Sequence, residues 1–352
     1  ISGGNVYIGE NTPVKGMFEG NTQWSSYLNV FPNIVYPENR TSWAGLYYYA
    51  NNYNRDFLNE ILPNATNVDE MFYNAYNNNL FNNKNEILNV LNVLNKNITS
   101  LYKFCDGPRT AQSSYAFNSL SELKAAFPNV KNIGYSQLVR SSKVTEEDLV
   151  GFTDIMGLRV SLPTGATTFN VPTLTTLSNT FSQFINNVNI VVSNNCTFAP
   201  NVYNRDYNVF LTGDLSGIKN GYYLYPYANQ WFGYPENLES APYMYRAARF
   251  NEISEPIPNG LINTVGMFES CTNLTSIQSG LNLSNCTNAE EMFRDCYNLT
   301  TVDFNFLKTV QADTNTDLSG MFKNCRNLTE IPGVMDLSNC TKIQEMFYGC
   351  NN

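Results

Sequence analysis

The sequence predicts an α/β solenoid, in which short strands and short helices repeat and neighbouring repeats pack against one another. Three observations predict it. Met-Phe pairs begin at residues 267, 292, 321 and 346, with spacings of 25, 29 and 25 residues. A cysteine follows each pair at a constant offset, and Asn-Leu-Thr follows three of these cysteines. A unit of this length cannot bury its apolar side chains alone, so the repeats must stack.

Each repeat is predicted to contain a short helix and a short strand. The apolar residues of one repeat have the i, i+3, i+4, i+7 spacing of a helix face: Ala289, Met292, Phe293 and Cys296. Leu281 and Leu283 alternate as they would in a strand. Outside the regular repeats, Thr145–Asp148 predicts a helix start, because carboxylates there complement the helix dipole.

The repeat motif also resembles a known family. The runs Met267–Ile277, Met292–Val302 and Met321–Ile331, with Leu-Ser-Asn-Cys-Thr between them, are similar to the BspA-like leucine-rich repeat family of surface proteins. The similarity is strong over about residues 255–352. It implies a leucine-rich-repeat solenoid that is displayed on cell surfaces, usually for adhesion, and it implies no catalytic residues.

Weaker copies of the motif upstream predict two related modules. Leu62–Asn77 resembles Leu283–Asn298, with alanine at the positions of both cysteines. Several shorter motifs recur in the same order in both parts of the chain. We therefore expect a first degenerate repeat module at 1–110, a divergent middle segment at 111–204, and a second module with regular repeats at 205–352.

Composition limits the possible functions. The net charge is −9 and the pI is about 4.7, so we expect no nucleic-acid partner, because an acidic surface repels phosphate. No apolar stretch is long enough for membrane insertion. The chain contains no histidine, which is the commonest general base and zinc ligand. We therefore expect a protein that is not an enzyme and that carries no cofactor.

A glycan-cleaving enzyme is a weaker alternative. Glycosidases use paired carboxylates, and Glu290-Glu291 is the clearest pair in this chain. However, Asp69-Glu70 occupies the matching place in the first module. A pair that recurs with the repeat is interpreted as a structural feature.

The eight cysteines have two interpretations, and six of them lie between residues 271 and 350. They could form a disulfide framework, as in extracellular proteins. Alternatively, they form a ladder of small buried side chains, one for each repeat. The alanine replacements at 65 and 75 favour the ladder, because they show that a small apolar group is sufficient.

Two aromatic clusters are the candidate ligand-binding residues. The first contains Trp43, Tyr47, Tyr48 and Tyr49. The second contains Tyr222, Tyr223, Tyr225, Tyr227, Trp231, Phe232, Tyr234, Tyr243 and Tyr245. Exposed tyrosine and tryptophan side chains suit glycan and protein partners, and we expect Trp231 and Tyr227 to be among the exposed members. The alternative is that the clusters are packed caps or cores.

A calcium loop is a weak candidate metal site. Asp313, Asn315 and Asp317 alternate as the oxygen ligands of such a loop do. Leu318 stands where the loop requires glycine, and Asn324 stands where it requires glutamate. A polar turn insertion is therefore the favoured interpretation.

Together these observations predict a non-enzymatic recognition or adhesion protein that binds a cell-surface glycan or protein. The chain starts at Ile1, so we expect it to be a piece of a longer protein. We expect an extracellular location, on a bacterial cell surface or on the exterior of a virus particle. The alternative is a structural virion component that assembles with copies of itself or with other virion proteins.

Overall fold

The computed structural model describes residues 5–19, 33–50, 53–75, 84–105, 115–140, 144–158, 165–177, 188–200, 209–258, 260–277, 283, 285–302, 316–330, 337 and 340–351. The chain divides into two compact units, Ile1–Pro163 (unit 1) and Thr164–Asn352 (unit 2). Each unit is built from stacked turns of a β-solenoid, which confirms the predicted repeat solenoid. The boundary between the units falls inside the predicted middle segment.

Unit 1 combines parallel bridges with short helices. Its elements are β1 (Asn5–Tyr7), β2 (Asn33–Val35), α1 (Arg55–Ile61), a 3-10 turn (Leu62–Asn64), α2 (Lys84–Val93), α3 (Leu120–Ala126) and α4 (Glu146–Leu149). Strands β1 and β2 pair in parallel. Thr145 and Asp148 form a capping box at α4, which confirms the predicted helix start. Among the described residues, no helix has the length and apolar character needed to span a membrane.

Unit 2 consists of short parallel strands, and its described residues contain no helix. Its strands are β3 (Thr168–Asn170), β4 (Val188–Val192), β5 (Val209–Gly213), β6 (Glu252–Ile253), β7 (Ser276–Ile277), β8 (Thr301–Val302), β9 (Thr316–Asp317) and β10 (Cys340–Lys342). They form the sheets β3-β4-β5, β6-β7-β8 and β9-β10. Consecutive strands pair in parallel because each turn returns the chain to the same direction one layer further on.

The Met-Phe segments form turns, so the predicted short helices are wrong. Around Phe293, Glu291 and Asp295 have φ values of 55° and 61°, in the left-handed region that interrupts a right-handed helix. The N–H groups of Glu291 and Phe293 donate to the carbonyls of Ser319 and Met321 in the next turn, both at 2.9 Å. The intervening N–H groups close tight turns within the repeat. Successive backbone N–H groups therefore donate alternately to a carbonyl of the next turn and to a carbonyl of the same turn.

A stack of aromatic side chains from successive turns runs through the core of each unit, and in unit 2 it ends at Phe347, which is 40% exposed. In unit 2 the stacked rings are Tyr245, Phe268, Phe293, Phe322 and Phe347, with centroids 5.5 to 5.9 Å apart and interplanar angles of 5° to 7°. In unit 1, Tyr47 and Phe72 stack at 5.6 Å and 2°, but Phe104 meets Phe72 edge-on at 82°. The methionine before each ring is buried in the turns around Phe72, Phe268, Phe293 and Phe322.

The cysteines that follow the aromatic positions form a thiol ladder. The Sγ–H groups of Cys271, Cys296, Cys325 and Cys350 donate to the carbonyls of Tyr245, Phe268, Phe293 and Phe322, each at 3.1 Å. These four residues are free thiols. Burial raises the pKa of Cys296 well above its ordinary value. The structure therefore agrees with the predicted ladder and not with a disulfide framework.

A column of short polar side chains fixes the entry to the turns of unit 2 from residue 220 onward. Its members, which are joined by parallel bridges, are Asn220, Ser240, Asn263, Asn288 and Asp317. The side chain of Asn263 accepts the N–H of Val265 at 3.1 Å, and Asn288 accepts that of Glu290 at 3.0 Å. Each such bond bends the backbone in the same way. The residues that follow are consequently presented in register from one turn to the next.

Candidate binding surface

Because the turns stack in register, equivalent side chains form columns on each unit. One column contains residues with φ between 48° and 74° at the start of each Met-Phe or equivalent turn, and we call it the left-handed column. In unit 1 its members are Gly16, Gly45, Glu70, Lys103, Tyr135 and Gly157. In unit 2 they are Tyr223, Tyr243, Gly266, Glu291, Gly320 and Glu345. Glycine is the residue that this conformation favours, yet seven of the twelve members are not glycine, and three of these seven are tyrosines.

Three tyrosines form a compact surface cluster in unit 2, which we call the tyrosine patch. It consists of Tyr222, Tyr223 and Tyr243. The rings of Tyr223 and Tyr243 stack with centroids 5.1 Å apart, and Tyr222 meets Tyr223 edge-on at 4.8 Å. Tyr222 is 40% exposed and the other two are half-buried. A left-handed backbone costs a residue with a Cβ about 1–2 kcal/mol, so Tyr223 and Tyr243 are held at the surface against a conformational cost.

Gly266 makes room for the last ring of the tyrosine patch. A Cβ atom at Gly266 would lie 2.3 Å from Cε1 of Tyr243 and 2.5 Å from Cδ1. No other residue fits beneath this ring without moving it. The glycine therefore contributes to the orientation of Tyr243, in addition to relieving strain in its own backbone.

The other aromatic residues of the second predicted cluster belong mainly to the interior. Tyr225 and Tyr245 are fully buried. Trp231 stacks on Tyr245 with centroids 4.7 Å apart, and its Nε1 is buried without a hydrogen-bond partner. Phe232 lies 5.0 Å from the Tyr225 ring, and Tyr234 lies 4.9 Å from the Trp231 ring. Trp231 and Tyr227 are both half-buried, which corrects the expectation that they are exposed.

The first predicted cluster divides in the same way. Trp43 and Tyr47 are fully buried in unit 1. Tyr48 is half-buried and Tyr49 is 38% exposed. The Tyr48 ring stacks on that of Tyr73, with centroids 5.1 Å apart. The surface members are therefore Tyr48 and Tyr49. Tyr73, which stacks on Tyr48, was not among the predicted binding residues.

Lysine side chains cover the tyrosine rings of unit 1. Lys15 Nζ lies 4.4 Å from the centroid of Tyr48 and forms an ion pair with Glu70. Gly45 leaves room for the Lys15 side chain to pass over it, because a Cβ atom at Gly45 would lie 2.6 Å from Cγ of Lys15.

A second lysine is surrounded by three rings. Lys103 Nζ lies 5.0, 5.1 and 5.8 Å from the centroids of Tyr73, Tyr102 and Tyr135, and 3.6 Å from a carboxylate oxygen of Glu70. Burial would lower the pKa of Lys103, but Tyr102 and Glu70 outweigh it and the pKa is raised. Lys103, Tyr73, Tyr102 and Tyr135 were not predicted from the sequence, although Lys103 and Tyr135 have the same left-handed backbone conformation as Tyr223 and Tyr243.

Carboxylates flank the tyrosine patch of unit 2. Burial raises the pKa of Tyr243, and the charges of Glu269, Glu291 and Glu290 raise it further. Glu291 is paired with Arg294 at 2.7 Å. In the part of the chain that the structure describes, the Glu290 carboxylate has no ion pair. The charge of Glu290 also contributes to the raised pKa of Lys342.

The weak calcium candidate is only partly within the described residues. Asp313 and Asn315 lie outside them. The Asp317 carboxylate accepts the N–H of Ser319 at 3.0 Å and pairs with Lys342 at 3.0 Å. Burial would raise the pKa of Asp317, but these bonds outweigh it and the pKa is lowered. No group of three potential metal ligands occurs among the residues described.

One segment of the chain matches a known protein family. Residues 237–352 match a family described as "Mycoplasma protein of unknown function, DUF285". This segment contains Tyr243, Gly266 and Glu290. No curated protein and no solved structure matches the chain.

Proposed function

We propose that this protein is a non-enzymatic recognition protein whose tyrosine patch binds a ligand on a cell surface. The observation that carries the proposal is the pair Tyr223 and Tyr243. Both are large rings at positions with positive φ, where later turns of unit 2 carry either glycine (Gly266, Gly320) or glutamate (Glu291, Glu345). Strained residues of this kind persist where the surrounding structure fixes them, and they cluster at ligand sites. Tyrosine is also among the residues that carry most of the energy at interfaces.

An extracellular, adhesive role is part of the same proposal. Its support is the similarity of the MFxxCxxLxxI runs to BspA-like leucine-rich repeat surface proteins, and the match of residues 237–352 to a Mycoplasma family. We assign the turns to this leucine-rich type on the sequence motif. The ligand is a glycan or protein on the contacted surface, and the reaction chemistry of an enzyme plays no part.

The test compares attachment of protein-coated beads to cultured epithelial cells. The double variant Tyr223→Gly, Tyr243→Gly removes both rings and leaves a backbone that glycine adopts readily. We expect attachment affinity to fall about ten-fold or more, because buried aromatic anchors typically contribute over ~2 kcal/mol each. Tyr135→Gly is the matched control, since it removes a left-handed tyrosine from unit 1. Unchanged attachment of the double variant, with an unchanged melting temperature, would disprove this role of the patch.

A further inference from the structure

The parallel ladder of unit 1 is interrupted after β2. This strand pairs with β1 on one side, and in the described part of the chain no strand pairs with its other side. Ser42 forms a bridge with Asn67, so equivalent residues of this turn and the next are 25 residues apart. The same offset leads from β2 to residues 58–60, which lie within α1 (Arg55–Ile61). A helix therefore stands where the solenoid would place its next strand.

The interruption leaves an open strand edge. The N–H of Ile8 donates to the carbonyl of Val35 at 2.9 Å, so Val35 turns its peptide groups toward β1. Neighbouring residues of a strand turn their peptide groups to opposite sides, and those of Ile34 therefore point away from β1. Such an edge can pair with another chain. Pairings of two residues, such as that between β6 and β7, are sufficient elsewhere in this protein.

A groove lies beside this edge, between β2 and α1. It consists of two adjoining hollows of about 640 and 310 Å³, which share Ile34 and Glu60. Apolar side chains line it, with Val35 and Ile61 in the larger hollow and Phe57 in the smaller one. The groove thus provides space for an additional chain on the side to which the Ile34 peptide groups point.

The charges around the groove are mainly negative. Glu38, Asp56 and Glu60 line it, are exposed, and have no ion pair among the described residues. The one cation among the described lining residues is Arg40, which is 3% exposed and donates to three backbone carbonyls that hold it in the interior. Lysine and arginine side chains combine an apolar stem with a charged head. They therefore match a groove with an apolar lining and exposed carboxylates.

We propose that the groove between β2 and α1 binds an extended basic segment of a polypeptide partner, which pairs with the open edge of β2 as an added strand. In this mode of recognition the main-chain hydrogen bonds provide affinity, and alternate side chains provide specificity. Side chains at every second position of the segment face the exposed carboxylates, and those between them face the apolar lining. The groove lies in unit 1, so this inference is independent of the tyrosine patch of unit 2.

Synthetic peptides test both parts of the inference. An octapeptide of alternating lysine and valine is titrated into the full chain and followed by calorimetry at ~0.15 M salt, where long-range attraction is largely screened. A second peptide has glutamate in place of lysine, and we expect it not to bind. A third has proline in place of valine, which keeps the charge but removes N–H donors. It should bind at least about five-fold more weakly, because it cannot form the full ladder.

Variants of the carboxylates test the location of the site. The combined variant Glu38→Gln, Asp56→Asn, Glu60→Gln should weaken binding of the lysine-valine peptide about ten-fold or more, since each partly exposed ion pair contributes up to about five-fold. Glu147→Gln removes an exposed carboxylate of unit 1 that does not line the groove, and it should leave the affinity unchanged. Melting temperatures establish that the variants are folded.

Hydrogen exchange of the wild-type protein provides a readout that needs no variant. The amide of Ile34 should exchange more slowly when the lysine-valine peptide is bound, because its N–H then donates to the added strand. Four results would overturn the inference: no binding of the lysine-valine peptide, equal binding of the proline peptide, undiminished binding by the folded triple variant, or unchanged exchange at Ile34.

Discussion

Unit 1 and unit 2 share one turn geometry but present different chemistry on it. Unit 1 carries 12 Lys and Arg against 14 Asp and Glu, and it covers its surface tyrosines with Lys15 and Lys103. Unit 2 carries nine against 16 and leaves the faces of the tyrosine patch without a cation of the described chain. The stacked backbone fixes where side chains stand, and the residues placed there decide whether a tyrosine ring is covered by a cation, as Tyr48 is, or by another ring, as Tyr243 is.

Removal of a buried ring should destabilise the two units to a similar extent, and this is the largest effect that we expect. Phe293→Ala and Phe72→Ala each remove a fully buried ring from an aromatic stack. Large-to-small changes of this kind cost about 3–5 kcal/mol, and we expect both variants to lose that much in the free energy of unfolding, measured with urea. Tyr222→Ala is the exposed control, expected to change stability by less than about 1 kcal/mol. A loss below about 1 kcal/mol for either core variant would show that its ring is not packed as described.

The repeat positions, the buried Met-Phe pairs and the thiol ladder could be predicted from the sequence because each depends on spacing alone. The local conformation could not, since i, i+3, i+4, i+7 burial is produced equally by a helix and by a turn with two left-handed residues. The sequence signal that favours turns over helices is the glycine directly before two of the methionines, Gly266 and Gly320, because glycine destabilises the interior of a helix. The solvent exposure of individual tyrosines could not be predicted either. Tyr222 and Tyr225 lie in the same aromatic run, and only the stacking of the turns places Tyr222 at the surface and Tyr225 in the interior.

The thiol ladder offers a smaller test of the same comparison. Unit 1 has Ala75 where unit 2 has Cys296, and both are buried. Cys296→Ala removes a sulfur and its hydrogen bond to the Phe268 carbonyl, so we expect a loss of about 1 kcal/mol in the free energy of unfolding.

Thiol alkylation provides the accompanying measurement. Burial raises the pKa of Cys296, so its thiol should react slowly in the native protein and fully after denaturation. A disulfide involving Cys271, Cys296, Cys325 or Cys350 in protein purified without reductant would contradict the ladder.

The smallest expected effect is confined to unit 1, because only there do the described residues include capped helices. The Asp148 carboxylate accepts the N–H of Thr145 at 2.8 Å and the Ser121 hydroxyl at 2.7 Å, which links α4 to α3. Burial would raise the pKa of Asp148, but these bonds outweigh it and the pKa is lowered. A carboxyl whose folded pKa is lowered stabilises the fold above its unfolded pKa of about 3.9, and that stabilisation is lost as the pH falls through the folded value.

Asp148→Asn should therefore reduce protection of amides in α4 from hydrogen exchange at neutral pH, by an amount equivalent to about 1 kcal/mol or less. The difference from the wild-type protein should shrink below about pH 4, because protonation then removes the same charge from Asp148. Amides in the turns of unit 2 should exchange identically in both proteins, since the substitution lies in the other unit. A difference in α4 that stays constant from pH 7 down to about pH 3 would mean that the asparagine acts through packing and that the carboxylate charge does not stabilise this cap.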